Sequence, residues 1–146
     1  MMLGAWFNLV SHLVTSNSLE LLTKIFHKRD HDGYIKLLKS KSLKGFVRNL
    51  RRLLLLDYAL GDKLLVYVLD KDLMSGYELR VFRLMVRGRG IIFNKRVVSV
   101  CPSIHKAREV RDSLLEAKIF FRVSLVNGRD RIMYFINPRL VDEVKK

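Results

Sequence analysis

Apolar residues recur at helical spacing through most of the chain, and at strand spacing only near its end. Leu3, Phe7, Val10 and Val14 step by three and four, which predicts a first, partner-facing or buried helix. Asn17 followed by Glu20 reads as a capping box for a second, with Leu19, Leu22, Ile25 and Phe26 as its apolar stripe. The polar run from His27 to Gly33 predicts a loop. From Ser42, the positions Leu43, Phe46, Val47, Leu50, Leu53 and Leu54 give the clearest amphipathic helix of the first half, with Gly61 as its expected stop. The apolar run Leu64 to Leu69 fits either a buried strand or a helix, since periodicity does not separate them.

Residues 72–138 read as one supersecondary unit. Ser75 and Glu78 form a capping box, Leu79, Phe82, Met85 and Val86 share a face, and Arg87-Gly88-Arg89-Gly90 ends that helix. Ile91-Ile92-Phe93 is expected as an extended link, and Asn94 as the cap of a short helix that buries Val97, Val98 and Val100. A turn at Cys101-Pro102-Ser103 then leads into a helix capped by Ser103. Its apolar positions are Ile104, Ala107, Val110, Leu114 and Ala117, and His105, Lys106, Arg108 and Arg111 lie on the opposite face. Ile119, Phe121, Val123 and Leu125 alternate with Phe120, Arg122, Ser124 and Val126. They reach a turn at Asn127-Gly128-Arg129-Asp130 and return through Ile132, Tyr134 and Ile136 to Asn137-Pro138. The expected fold class is mainly α with a small β-hairpin (α+β). Residues 1–70 form a helical N-terminal region for dimerisation or partner contact, and 71–146 form a second unit.

This order of elements resembles the winged helix-turn-helix DNA-binding superfamily over residues 94–138. The best local match is Leu114-Leu115-Glu116-Ala117-Lys118-Ile119-Phe120, which is similar to the end of a recognition helix running into the first wing strand. Lys118 stands where a glycine is common, and Arg111 at a position that is often apolar. The Asn-Pro ending also resembles small viral or plasmid regulators and replication proteins. The resemblance implies that the helix after Ser103 enters a major groove, with Lys95, Arg96, Ser103, His105, Lys106, Arg108 and Arg111 against DNA and Arg129 at the wing tip.

Composition points the same way. The 146 residues carry 28 Lys+Arg and 14 Asp+Glu, a net charge of +14, with a pI near 10.3. Such a surplus on a small body suits a polyanion. From Arg80 to Arg111 nine basic residues meet one acid, Glu109, and from Lys36 to Arg52 seven basic residues meet none. Within the latter run, Lys44, Arg48, Arg51 and Arg52 form a second basic face. Hydrophobic residues, at 49%, suffice for a packed core.

Other classes find less support. The single Cys101 excludes an internal disulfide framework and multi-cysteine zinc sites, and suits a reducing cytoplasm, a host's if the protein is viral. No metal and no cofactor is expected, and the uncharged first 14 residues fall short of the roughly 20 needed to span a bilayer. There is no phosphate-binding loop, and Asp70 with Asp72 lacks the third carboxylate of a metal-dependent nuclease. The chain therefore reads as a binder, not an enzyme. Its expected partner is double-stranded DNA, held by a homodimer acting in transcription regulation. Three other roles stay open: a plasmid or viral replication initiator, a basic adaptor or inhibitor of host RNA polymerase, and an RNA-binding accessory protein.

Overall fold

A computed structural model describes residues 12–126 and 132–146. Among these, eight helices and three strands follow one another as α1 (Ser16–Phe26), α2 (His31–Leu38), α3 (Leu43–Leu54), α4 (Tyr58–Asp70), α5 (Gly76–Arg87), β1 (Ile91–Phe93), α6 (Asn94–Val100), α7 (Ile104–Glu116), β2 (Phe120–Ser124), β3 (Ile132–Ile136) and α8 (Pro138–Lys145). The protein is thus mainly helical with a small antiparallel sheet, as the patterning predicts. The apolar run 64–69 lies within helix α4.

The strands are ordered β1-β3-β2. Ile92 lies opposite Tyr134, as does Arg122 on the other side. Central β3 is buried on both faces, with Met133, Tyr134, Phe135 and Ile136 all fully covered. On one face Phe120 stacks on Tyr134 with ring centroids 4.5 Å apart, and on the other Phe135 meets Phe26 of α1 at 5.7 Å and Phe121 at 5.6 Å. Each fully buried large side chain contributes about 1.5–3 kcal/mol. One hydrophobic cluster therefore runs through the sheet and joins residues from both sides of position 70.

Several local expectations need correction. Helix α1 is capped by Thr15, whose hydroxyl accepts from Ser18 N, and not by Asn17. The chain leaves an extended bridge between Val14 and Leu125 at that point, which sets the cap two residues early. The expected first helix lies mostly outside the described residues, and its last residue, Val14, is in that bridge. The predicted loop stops at Asp30, whose carboxylate accepts from Gly33 N at 3.0 Å and starts α2.

Helix α3 ends at Leu55, in the left-handed region at φ 55°, so Gly61 is not its stop. Gly61 is buried within α4, where a Cβ would stand 2.8 Å from Val86. Ser75 occupies the cap position of α5 without a side-chain cap bond. Glu78 instead accepts from the Ser113 hydroxyl at 3.1 Å, tying α5 to α7. Residues 91–93 are a paired strand and not a link. Phe93, not Asn94, holds the cap position of α6, because the Asn94 side chain accepts from the Tyr134 hydroxyl at 3.0 Å. In β2 the buried residues are Phe120 and Val123, whereas Phe121 is half-buried, because both faces of the sheet are covered and strict alternation is lost.

Arg29 clamps the α1–α2 corner to α8, donating to both oxygens of Asp142, one at 2.7 Å. That hydrogen bond holds the Asp142 carboxyl below its usual range. A carboxylate with a depressed folded pKa adds stability above its unfolded pKa and loses it as pH falls through the folded one. The pair is 30% and 40% exposed, which limits its worth to about 1 kcal/mol or less. Asp142→Asn is expected to cost at most that much at neutral pH. Urea unfolding at stepped pH should show the difference from wild type vanishing as pH falls through the carboxylate range.

Candidate nucleic-acid interface

Helix α7 buries Ala107, Val110 and Leu114, the last two in the same hydrophobic cluster as the sheet. Its other side is open: Ser103, Ile104, His105, Arg108, Glu109, Asp112 and Ser113 are all exposed. Ser103 sits at the cap and accepts from Lys106 N at 3.0 Å, so its hydroxyl is occupied in starting the helix. Short helix α6 presents Lys95 and Arg96 to solvent beside it. A cleft of about 340 Å³ between the two helices is lined by Asn94, Lys95, Ile104, Arg108 and Arg111, among others. The structure thus brings Lys95, Arg108 and Arg111 together. Arg129 lies outside the described residues.

The charge on α7 differs from the basic face expected from His105, Lys106, Arg108 and Arg111. Lys106, Arg108 and Arg111 are matched within the helix by Glu109, Asp112 and Glu116, so its formal charge is zero. Glu109 takes both His105 Nε2, at 3.2 Å, and Lys106 Nζ, at 3.4 Å. Arg111 is only 22% exposed. Its Nε lies 3.5 Å from Asp112 but in poor hydrogen-bonding geometry, and its charge works with the buried Tyr134 hydroxyl beneath the helix. Burial pushes that hydroxyl above its ordinary range, and Arg111 pulls it partly back. Arg108 remains as the exposed cation of the outer face with no ion pair among the described residues. Glu109 was legible as a neutralising acid from its three- and four-residue spacings to Lys106 and His105.

The second basic face is concave. Lys44, Arg48, Arg51 and Arg52 of α3 stand across from Arg89 and Phe93, around a groove of about 780 Å³ with Leu43 and Val47 in its floor. Arg51 Nε donates to Gly88 O at 3.0 Å and fixes α3 against the turn before β1. Arg89 takes φ 58° there, and Gly90 φ 99° where a Cβ would meet Leu54 at 2.8 Å. Pattern reading missed Arg89 and Phe93 as groove residues, because only the tertiary approach of α3 to β1 makes them so. Phe93 lines this groove, and its sequence neighbours Asn94 and Lys95 line the α6–α7 cleft, with no described residue lining both.

Among the described residues, no group of three or more His, Cys, Asp or Glu is placed to hold a metal ion, and no helix is long and apolar enough to cross a membrane. Burial pushes the lone Cys101 thiol up, with a smaller downward pull from Lys106. No protein-family model matches the chain, and neither a curated protein nor a solved structure matches it significantly.

Ser103→Ala removes the acceptor at the start of α7 and should cost about 1 kcal/mol. Denaturant unfolding checks this: a change below a few tenths of a kcal/mol would show the cap to be unimportant.

Proposed function

We propose that the protein binds double-stranded DNA as a winged helix-turn-helix homodimer and serves as a transcription regulator. The observation that carries the reading is the open outer face of α7, anchored on a sheet and beginning beside the basic start of α6. The order α5-β1-α6-α7-β2-β3, with β3 in the middle of the sheet, supports it. In this arrangement the N-terminal half of α7 approaches base edges and α6 abuts the backbone. Arg108 is the candidate reader of guanine acceptors, and Glu109 can accept from a cytosine amino group once its cations turn to phosphate.

Selected duplexes should be bound in preference to scrambled ones in a gel shift. Arg108→Ala should erase a preference of about 1–3 kcal/mol while salt-sensitive general binding survives. Equal binding of all duplexes by wild type and variant would defeat the regulator reading.

The dimer is assigned to α4. Bodies of net charge +14 repel, so self-association favours the least positive surface. Helix α4 holds Asp62, Lys63 and Asp70, a net charge of −1. Tyr58, Val66 and Leu69 on α4, with Leu55 and Leu73 flanking it, are 42–76% exposed. On the helical repeat, two antiparallel copies centred between Val66 and Tyr67 set Lys63 against the partner's Asp70, twice by symmetry. Sedimentation equilibrium should find Val66→Asp monomeric. Lys63→Asp and Asp70→Lys should each weaken association, and the double exchange should restore it. A monomeric wild type, or a double exchange no better than the singles, would reject this face.

A further inference from the structure

We infer that the groove between α3 and β1 is a second site for the phosphodiester backbone, and that it supplies most of the charge-driven affinity while α7 supplies sequence choice. The inference rests on the DNA-binding reading but locates a site that reading does not require.

The argument starts from an imbalance. Helix α7, which would sit deepest in the duplex, has no net formal charge, whereas α3 holds four cations and no acid. Salt-dependent affinity scales with the number of phosphates neutralised, so a neutral helix contributes little of it. Along α3, Lys44, Arg48 and Arg52 repeat at intervals of four, each exposed. Like charges at that spacing cost about 0.2–0.5 kcal/mol per pair in a free helix. No acid among the groove's lining residues relieves the repulsion, and Arg89 adds a fifth cation from the facing wall. Lys44, Arg48, Arg52 and Arg89 form no ion pair among the described residues. A bound anion would offset the repulsion.

Dimensions agree with a backbone strand. The ladder from Lys44 to Arg52 covers about 12 Å at the helical rise of 1.5 Å per residue. One DNA strand carries a charge about every 3.4 Å of axis, so the ladder meets three or four phosphates. Arg51 is not counted, because it is already tied to Gly88 O. A backbone held in this groove lengthens the footprint beyond a single recognition helix.

The test compares the full-length wild type with the triple variant Lys44→Ala, Arg48→Ala, Arg52→Ala and with Arg108→Ala. Binding to duplexes of about 30 base pairs is measured from about 50 to 300 mM salt. The triple variant should lower the salt slope by about 2.7, at about 0.9 per lost contact. It should weaken every sequence alike, shorten the hydroxyl-radical footprint, and keep the sequence preference. Arg108→Ala should do the reverse. An unchanged slope and footprint in the triple variant would overturn the inference while leaving the DNA reading intact. If wild type binds no duplex, heparin retention decides: loss of retention in the triple variant sustains an anion groove and sinks the DNA reading, and equal retention sinks both. Polyglutamate bound at the groove as strongly as heparin of equal charge would reassign it to an acidic protein. Removing the like-charge ladder should hold or raise Tm, and Arg48→Gln with Arg52→Gln provides a milder pair should the triple variant fold poorly.

Discussion

Burial of β3 on both faces is the constraint from which the rest of the architecture follows. A three-stranded sheet with one wet face would leave α7 on a flexible support. Here Phe120 and Tyr134 back the α6–α7 side, and Phe26 and Phe135 lock the opposite side to α1. The aromatic burial on one strand outweighs any surface pair in the molecule, the Arg29–Asp142 clamp included. The N-terminal helices are therefore part of the platform under the candidate interface.

Much of this was legible in the residue pattern, for identifiable reasons. Helix α7 could be placed because Ser103 follows a proline turn and its buried positions keep a three-four period. Helix α3 was legible because its two faces differ so sharply in polarity. What escaped depended on partners distant in sequence. Thr15 caps α1 because Val14 has just left a bridge to Leu125. Gly61 lies inside a helix because Val86 closes on it. Ile91 to Phe93 could not be recognised as a strand without β3 beside them. The candidate site divides in the same way: the cations were visible, but Arg89 and Phe93 join it only through tertiary approach, and Arg129 is beyond the described residues. The pairing of His105 and Lys106 with Glu109 was a local spacing that a count of basic residues passed over.

The distribution of charge gives the surface its logic. A net +14 is not spread evenly: α3 and the flanks of β1 are strongly cationic, α7 is balanced, and α4 is slightly negative. In the DNA-binding reading proposed above, balance on α7 has a physical advantage for discrimination. A helix whose cations are partly engaged by Glu109 gains less from any passing phosphate, so wrong sequences are held less tightly. A concave cationic groove does the opposite, holding any backbone without regard to sequence. In that reading the two surfaces favour different terms of the same binding equilibrium, and α4 is the face left to self-association.

The bridge at Val14 has a further consequence. Thr15 N donates to Ser124 O, Val126 N donates to Leu13 O, and the Ser18 hydroxyl accepts from Ser124 N, so this short segment covers the outer margin of β2. A proteolytic cut just before Thr15 would remove Leu13 and Val14, and with them the bridge to Leu125 and the acceptor of Val126 N, while the Ser18 hydroxyl would still hold Ser124 N. The backbone at Leu125 and Val126 would then present unpaired groups, a template on which other chains could pair. Leu13 and Val14 thus guard part of an otherwise open strand edge.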